Sequence, residues 1–380
     1  MQRNPFKPTA GATPPLLVGR SEAMEEFSES LADGPGAPGR LTIFTGARGV
    51  GKTVMLTEVA DQALHSGWVT IAETATPGLI GRLTYAVTRH LGELDPRAGN
   101  GRTLTGLTLP VVGGGITMSA APQAVIDWRE QVGRLLDVLE PAGTGLLITV
   151  DEIHKQARDD LRDLAATFQH LVREDRNIAL VVAGLPSAVS DLLNDDVLTF
   201  LRRATKEVLE DVPLEQVRDA LRTTITTQGR TITADALQEA AQATGGYPFM
   251  IQLVGYHVWR QASGNIIDLE SVRRGVPAAR KRLGSTVHET ALADLSAVDR
   301  TYLLAMSRDD GPSNTKTIAQ RMGESVQYAN VYRARLIDAG VIEPGQRGTV
   351  TFAIPYLREY LREHADRYEP RTNATKEAHQ

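Results

Sequence analysis

Short apolar runs alternate with amphipathic stretches along the first half of the chain. The runs at 41–46 (LTIFTG), 145–152 (GLLITVDE) and 178–184 (IALVVAG) have the length of buried strands, and helical patterns follow them. The segments 68–74 and 206–212 predict two further strands. This alternation predicts an α/β fold, a three-layer arrangement with helices on both faces of a parallel sheet.

From residue 214 to 288 the pattern changes to helices alone. Apolar residues recur at helical spacing in 214–228, 234–246, 248–262 and 269–283. We therefore expect a separate all-α lid domain over 214–288.

A third pattern follows the lid. Helical stretches at 295–309, 315–323 and 325–340 are separated by turn signals, and 341–355 predicts two short strands around a Gly-containing turn. Three helices and a hairpin predict a winged helix-turn-helix domain over 289–368.

Three segments lie outside these patterns. Residues 1–20, rich in Pro and Gly, predict an extended arm, which leaves 21–213 for the α/β core. Two β-rich pieces around a Gly triplet at 103–120 predict a β-hairpin inserted into that core. A second phosphate loop is the alternative there, but no Lys or Ser/Thr follows the glycines at the needed spacing. The polar tail 369–380 predicts disorder.

Composition narrows the function without deciding it. The 380 residues have a net charge of −5, which argues against a surface that coats nucleic acid as a whole but permits a local basic face. The absence of cysteine excludes disulfides, thiol catalysis and thiolate zinc sites. With no secretory signal and no apolar run of about 20 residues, we expect a cytoplasmic protein without a membrane partner.

The segment TGARGVGKT at 45–53 contains the pattern G-x-x-x-x-G-K-S/T in full. Glycines let successive backbone N–H groups face phosphate oxygens, and the following helix adds its positive end. Lys52 is expected to reach the β- and γ-phosphates, and the Thr53 hydroxyl to bind Mg²⁺. The expected nucleotide contacts are Gly46, Ala47, Arg48, Gly49, Val50, Gly51, Lys52, Thr53 and Val54.

Two carboxylates, Asp151 and Glu152, end the apolar run at 145–152, where ligands bind in open α/β sheets. We expect Asp151 to hold magnesium through water and Glu152 to orient and deprotonate the attacking water. The alternative is an acidic N-cap for the next helix, but the matching phosphate loop favours hydrolysis. Just after the neighbouring strand, Ser187 either senses the γ-phosphate or caps the next helix.

The chain resembles the origin-recognition-like branch of AAA+ ATPases and the related STAND signalling ATPases. The resemblance extends from about residue 4 to 365 and rests on NPFKP…PPLLVGR, GARGVGKT, LLITVDE, VVAGLPS and GGYPFMIQLVGYHVW. It implies ATP as the nucleotide and ADP as its product. It also implies that the LVGR box, Leu17, Val18, Gly19 and Arg20, packs on the adenine and ribose.

Two further assignments come from the resemblance. Pro248 stands near the nucleotide, where many AAA+ proteins have a sensor arginine, and the lack of that arginine favours a nucleotide-controlled switch over a vigorous motor. Arg202 and Arg203 stand where the group carries an arginine finger, a charge that acts on a neighbour's nucleotide in a homo-oligomer. A solvated Arg pair on a helix face is the alternative.

The second helix of the predicted helix-turn-helix carries polar residues that can read base edges, and the wing adds a cation for phosphate or the minor groove. These residues are Gln327, Asn330, Arg333, Arg335 and, at the wing tip, Arg347. Nearly balanced charge across this domain leaves contact with a protein partner as the alternative. The basic stretch 273–282 either assists DNA binding or caps lid helices.

Two functions follow. The first is an ATPase with slow, Mg²⁺-dependent hydrolysis, whose nucleotide state controls duplex DNA binding through the winged helix. The second is a STAND-like signalling switch that holds ADP and binds a protein partner. A processive motor is disfavoured because no pore-loop aromatic pattern is present.

Overall fold

The computed structural model describes residues 3–9, 11–15, 17–94, 127–195 and 199–368. The hairpin predicted at 103–120 and the tail predicted at 369–380 lie outside the described residues. Within the described ranges, no helix is both long and apolar enough to cross a bilayer.

A five-stranded parallel sheet forms the centre of the first half of the chain. Its strands are β1 (Leu41–Thr45), β2 (Val69–Thr74), β3 (Leu146–Ile153), β4 (Ile178–Gly184) and β5 (Thr205–Val208). They are arranged in the order β2-β3-β4-β1-β5. Strands β3 and β4 are buried along nearly their whole length, which is why they read as continuous apolar runs. The predicted parallel sheet is confirmed.

Helices cover both faces of this sheet. They are α1 (Ser21–Asp33), α2 (Lys52–His65), α3 (Leu79–Leu94), α4 (Trp128–Leu139), α5 (Arg158–Arg173) and α6 (Pro186–Leu193). Neighbouring residues of one strand enter different cores: Phe44 of β1 packs with α1 and α2, whereas Ile43 packs with α3, α4 and α5. Successive strand side chains alternate between the two faces, so one strand serves both cores.

Residues 214–283 form a helical lid. Its helices are α7 (Leu214–Thr227), α8 (Ala234–Thr244), α9 (Pro248–Gln261) and α10 (Leu269–Leu283), and they share one apolar core. The sequence patterns did not reveal a short parallel pair within the lid, β6 (Thr231–Ile232) and β7 (Ile266–Ile267). Beyond α10 the chain continues through a π-helical turn at Gly284–His288 into α11 (Glu289–Ala293).

The described part of the chain ends with residues 289–368, which are called the C-terminal module below. After α11 its elements are α12 (Ala297–Ser307), β8 (Ser313–Asn314), α13 (Thr315–Met322), α14 (Val326–Asp338), β9 (Ile342–Pro344), β10 (Thr349–Phe352), α15 (Leu357–Glu363) and α16 (Ala365–Tyr368). The strands form an antiparallel sheet in the order β8-β10-β9. Helices and strands of the expected kinds are present, while the assignment as a winged helix stays a prediction.

Short 3₁₀ helices join several of these elements. They lie at Pro38–Arg40, Glu140–Ala142, Lys155–Ala157, Thr199–Arg203 and Gln346–Gly348.

Candidate functional site

The loop between β1 and α2 depends on glycine at three positions. The φ angles of Gly46, Gly49 and Gly51 are +150°, +78° and +100°, a region that other residues rarely adopt. Space is also restricted, because a Cβ at position 49 would lie 1.8 Å from the hydroxyl oxygen of Tyr247. Backbone conformation therefore favours glycine at all three positions, and close packing requires it at positions 46 and 49.

The Lys52 ammonium is held close to the loop that precedes it. Its Nζ donates hydrogen bonds to the carbonyl oxygens of Gly46 at 2.8 Å and Ala47 at 2.7 Å. Burial lowers the pKa of Lys52 to about 8, against the opposing effect of the Asp151 carboxylate. A partly desolvated cation of this kind gains strongly from an anionic ligand.

A hydrogen bond joins the start of α2 to the end of β3. Thr53 Oγ1 donates to Asp151 Oδ2 at 2.6 Å, and Asp151 Oδ1 accepts from the Glu152 backbone N–H at 2.8 Å. Glu152 has a φ of +55°, a strained conformation for a residue with a side chain and one that is typical of functional sites. The Thr53 hydroxyl and the Asp151 carboxylate are hard oxygens, so these residues fit a magnesium ion.

These groups line a cavity of 990 Å³ that the lid and the start of the chain complete. The lid contributes Tyr247, Pro248 and Phe249, so the predicted Pro248 lies at the cavity. Tyr247 is fully buried, and its hydroxyl donates to the carbonyl oxygen of Arg48 at 3.0 Å. The sequence patterns did not predict this contact, although Tyr247 lies in the segment GGYPFMIQLVGYHVW on which the resemblance rests.

Three residues of the LVGR box line the same cavity: Leu17, Val18 and Arg20. Val18 packs on the lid core, and the Arg20 guanidinium donates to the carbonyl oxygen of Glu210. Burial lowers the pKa of Arg20, while nearby carboxylates oppose the shift. Gly19 is exposed, and its φ of +69° gives the turn between its neighbours. The box therefore links the lid to the α/β core.

Arg202 and Arg203 lie away from this cavity. They end the 3₁₀ helix that precedes β5, both are exposed, and Arg202 Nε donates to the carbonyl oxygen of Leu193 at 2.7 Å. Strand β5 runs parallel to β1, with Thr205 paired to Thr42. The two arginines are thus at the opposite end of the sheet from the phosphate loop of their own chain.

The end of β4 contacts both the cavity and the C-terminal module. Leu185 lines the cavity, and a Cβ at Gly340 would lie 2.9 Å from Leu185 Cδ1. Ser187 Oγ donates to the carbonyl oxygen of Asp338 at 3.1 Å. The N-cap of α6 is Leu185, so the alternative in which Ser187 caps this helix is wrong.

Five residues of the C-terminal module were predicted to contact nucleic acid: Gln327, Asn330, Arg333, Arg335 and Arg347. Gln327 and Asn330 are exposed on α14, and Arg333 is half-buried on the same helix. Arg335 forms an ion pair with the buried carboxylate of Asp299 at 3.2 Å. Arg347 lies in the turn Gln346–Gly348, and its side chain is outside the described part of the structure.

A phosphate loop at the carboxyl end of a parallel sheet, with a threonine bonded to an aspartate on the interior strand β3, defines a P-loop ATPase. Residues 16–182 match the family model of the AAA ATPase domain, and residues 285–361 match a domain of unknown function, DUF8462. Residues 16–182 are therefore an AAA ATPase domain. No curated protein sequence matches the chain.

Two solved structures share this fold. The walker-type ATPase paby2304 of Pyrococcus abyssi is 15% identical with a TM-score of 0.64, and the match covers 91% of this chain and 96% of that chain. The ORC2 protein of Aeropyrum pernix, solved as ADPNP-ADP complexes, is 14% identical with a TM-score of 0.60, covering 95% and 98%. The predicted AAA+ class and origin-recognition-like fold are confirmed.

Proposed function

We propose that the chain binds ATP with Mg²⁺, hydrolyses it slowly, and uses its nucleotide state to control the binding of duplex DNA by the C-terminal module. The observation that carries the proposal is the 2.6 Å hydrogen bond between Thr53 Oγ1 and Asp151 Oδ2. It brings the phosphate loop, the expected metal ligands and the adjacent Glu152 to one place, as hydrolysis requires.

Each group has a chemical task in this proposal. The loop amides from Gly46 to Thr53 bind phosphate oxygens, and the Lys52 ammonium exchanges its two carbonyl partners for the β- and γ-phosphates. Bound magnesium supplies positive charge that offsets the charge of the triphosphate. Glu152 orients the attacking water and accepts its proton, a role that its position beside Asp151 supports.

A cationic surface on the lid supports DNA as the ligand under nucleotide control. Helices α9 and α10 together contain a single acidic residue, Glu270. Among their cations, Arg260, Arg274, Lys281 and Arg282 are exposed. Besides burial, Arg260 and Arg282 lower the pKa of His257, as expected where positive charge is concentrated. A surface with this excess of cations attracts the phosphate groups of nucleic acid.

Two other exposed cations of the basic stretch contact groups within the protein. Arg273 lies 3.9 Å from the Glu239 carboxylate, and the Arg280 guanidinium lies over the Tyr356 ring. These two residues support the alternative interpretation of the stretch, that part of it stabilises the lid.

A specific contact favours the second candidate, a signalling switch with a protein partner. The bond from Ser187 to the Asp338 carbonyl and the packing of Leu185 on Gly340 hold the C-terminal module against the tip of β4. The γ-phosphate sensor of the related ATPases is expected at this tip. A module held at this position can respond to the hydrolysis of ATP even when ATP turnover is slow.

We also propose that a homo-oligomer completes the catalytic site through Arg202 or Arg203, because neither reaches the cavity of its own chain. Specific ATPase activity should then rise with protein concentration and fall in Arg202→Ala or Arg203→Ala. If specific ATPase activity is constant across a wide dilution series and both variants have parental activity, neither residue is an arginine finger.

The decisive experiment compares the nucleotide content of the purified parent protein with that of the Lys52→Ala variant. We expect the parent to retain ATP or ADP and the variant to lose it. Lys206→Ala, an exposed position on β5, is the matched control and should retain nucleotide. A Lys52→Ala protein that retains nucleotide as well as the parent does would reject the proposal.

Hydrolysis assays with and without duplex DNA then separate the two candidates. DNA-stimulated turnover, with salt-dependent DNA binding that is lost in the double variant Arg333→Ala, Arg347→Ala, supports control of DNA binding. Tightly held ADP with almost no multiple turnover, and no DNA binding at low salt, supports the switch.

A further inference from the structure

The start of the chain, here called the arm (residues 4–9 and 11–14), is attached to the lid by one buried aromatic ring. Phe6 is 3% exposed and belongs to the apolar core of the lid. It lies against Gly255 of α9, where a Cβ would be 2.4 Å from two atoms of the Phe6 ring. Because any larger residue at 255 would collide with the ring, this glycine provides the space that Phe6 occupies.

Hydrogen bonds fix the arm on both sides of the ring. Asn4 Nδ2 donates to the carbonyl oxygen of Tyr256 at 3.0 Å, and Asn4 Oδ1 accepts from the Phe6 backbone N–H at 3.1 Å. The Lys7 backbone N–H donates to Gln252 Oε1 at 3.1 Å. Residues 252, 255 and 256 lie on one face of α9, three and four positions apart, so one helix face binds the arm.

Beyond Phe6 the arm becomes a wall of the nucleotide cavity. The arm residues that line it are Lys7, Pro8, Thr9, Gly11, Ala12 and Pro14. Backbone hydrogen bonds from Thr9 to the Lys7 carbonyl at 2.8 Å and from Ala12 to the Thr9 carbonyl at 3.1 Å keep this stretch compact. The phosphate loop belongs to the α/β core, whereas the Phe6 site belongs to the lid, so the arm spans both.

We propose that the arm is a clasp: Phe6, packed against Gly255, keeps residues 7–9 and 11–14 beside the bound nucleotide and slows its release. The clasp rests on the proposed nucleotide binding. Burial of the Phe6 ring in the lid core is favourable because it removes apolar surface from water. Nucleotide that leaves past the arm must wait until the ring leaves the lid, so the ring sets the residence time of the nucleotide without contacting its phosphates.

The test measures release of radiolabelled ADP with Mg²⁺ from the full chain after a chase with excess unlabelled ADP. Phe6→Ala should release ADP about tenfold faster or more, a factor that corresponds to 1.4 kcal/mol. Gly255→Ala should accelerate release similarly, because its methyl group occupies the place of the ring. Gly264→Ala, at a lid position where a Cβ meets nothing within 4 Å, should release ADP at the parental rate.

The double variant Phe6→Ala, Gly255→Ala separates the clasp from general loosening of the lid. With the ring already removed, the added methyl group should accelerate release no further. Additive acceleration would contradict the clasp. If Phe6→Ala does not fold, as shown by its thermal unfolding, Gly255→Ala and Phe6→Leu test the same contact, and Phe6→Leu should lie between Phe6→Ala and the parent.

The outcomes distinguish the clasp from nucleotide binding itself. ADP held by the parent, lost in Lys52→Ala and released at the parental rate by Phe6→Ala and Gly255→Ala would overturn the clasp alone. A parent protein that retains no ADP would overturn the proposed function and the clasp with it.

Discussion

The nucleotide cavity and the exposed face of α14 differ in how their side chains are held. In the cavity the predicted residues bond to one another: Thr53 to Asp151, and Lys52 to carbonyls of its own loop. On α14, Gln327 and Asn330 are exposed to solvent. The cavity groups are therefore held in place before any ligand arrives, whereas no such bonds hold these two exposed side chains of α14.

The largest expected effect is the loss of hydrolysis in Glu152→Gln. Removing the group that accepts a proton from water should lower turnover about 100-fold or more, while nucleotide stays bound because the phosphate contacts are unchanged. Phosphate release under multiple turnover measures this loss. Glu215→Gln, an exposed lid position, should keep parental turnover. Parental turnover in Glu152→Gln would exclude Glu152 as the base.

The next effect is a pH dependence of nucleotide affinity. The pKa of Lys52 is lowered to about 8 by burial, so its ammonium is charged below that pH and neutral above it. If only the charged form pairs with phosphate, equilibrium affinity for ADP should be about tenfold weaker at pH 9 than at pH 7. Lys52→Arg, weaker at every pH, should lack this fall. An equal fall in both proteins would assign it to another group.

A smaller effect tests the contact between the two regions. Gly340→Ala combines a φ of +65° with a Cβ 2.9 Å from Leu185, so it should destabilise the chain by about 1–2 kcal/mol. Gly323→Ala is a close control, because its φ is +70° and its Cβ would meet nothing within 4 Å. Denaturant unfolding of both variants isolates the Leu185 contact. Equal losses would show that backbone strain alone is responsible.

The smallest effects are expected on α14 itself. Gln327→Ala and Asn330→Ala should change the free energy of unfolding by less than about 0.5 kcal/mol, because both side chains are exposed. Arg335→Ala should cost about 1 kcal/mol, since it leaves the buried Asp299 carboxylate without its guanidinium partner. Denaturant midpoints measure the three changes. Any loss of DNA binding in the first two variants would then report recognition and not unfolding.

The sequence by itself determined the phosphate loop, the acidic end of β3 and the ends of α10, which the structure places at Leu269–Leu283 as the pattern predicts. These features are local: a glycine that must adopt positive φ, an apolar strand before two carboxylates, or a helical repeat is encoded in neighbouring residues. Local spacing therefore sufficed to predict a nucleotide-binding phosphate loop and the end of the sheet at which it lies, whereas ATP as the nucleotide was implied by the family resemblance.

Only the tertiary structure decided which contacts join the distant segments of the molecule. The bond from Tyr247 to Arg48 joins residues 199 positions apart, and that from Ser187 to Asp338 joins residues 151 apart. The packing of Phe6 against Gly255 also joins residues far apart in the sequence, and so does the strand order of the sheet. Such pairings depend on how helices and strands pack in three dimensions. The local conformational preferences of one residue do not specify which distant residue it contacts.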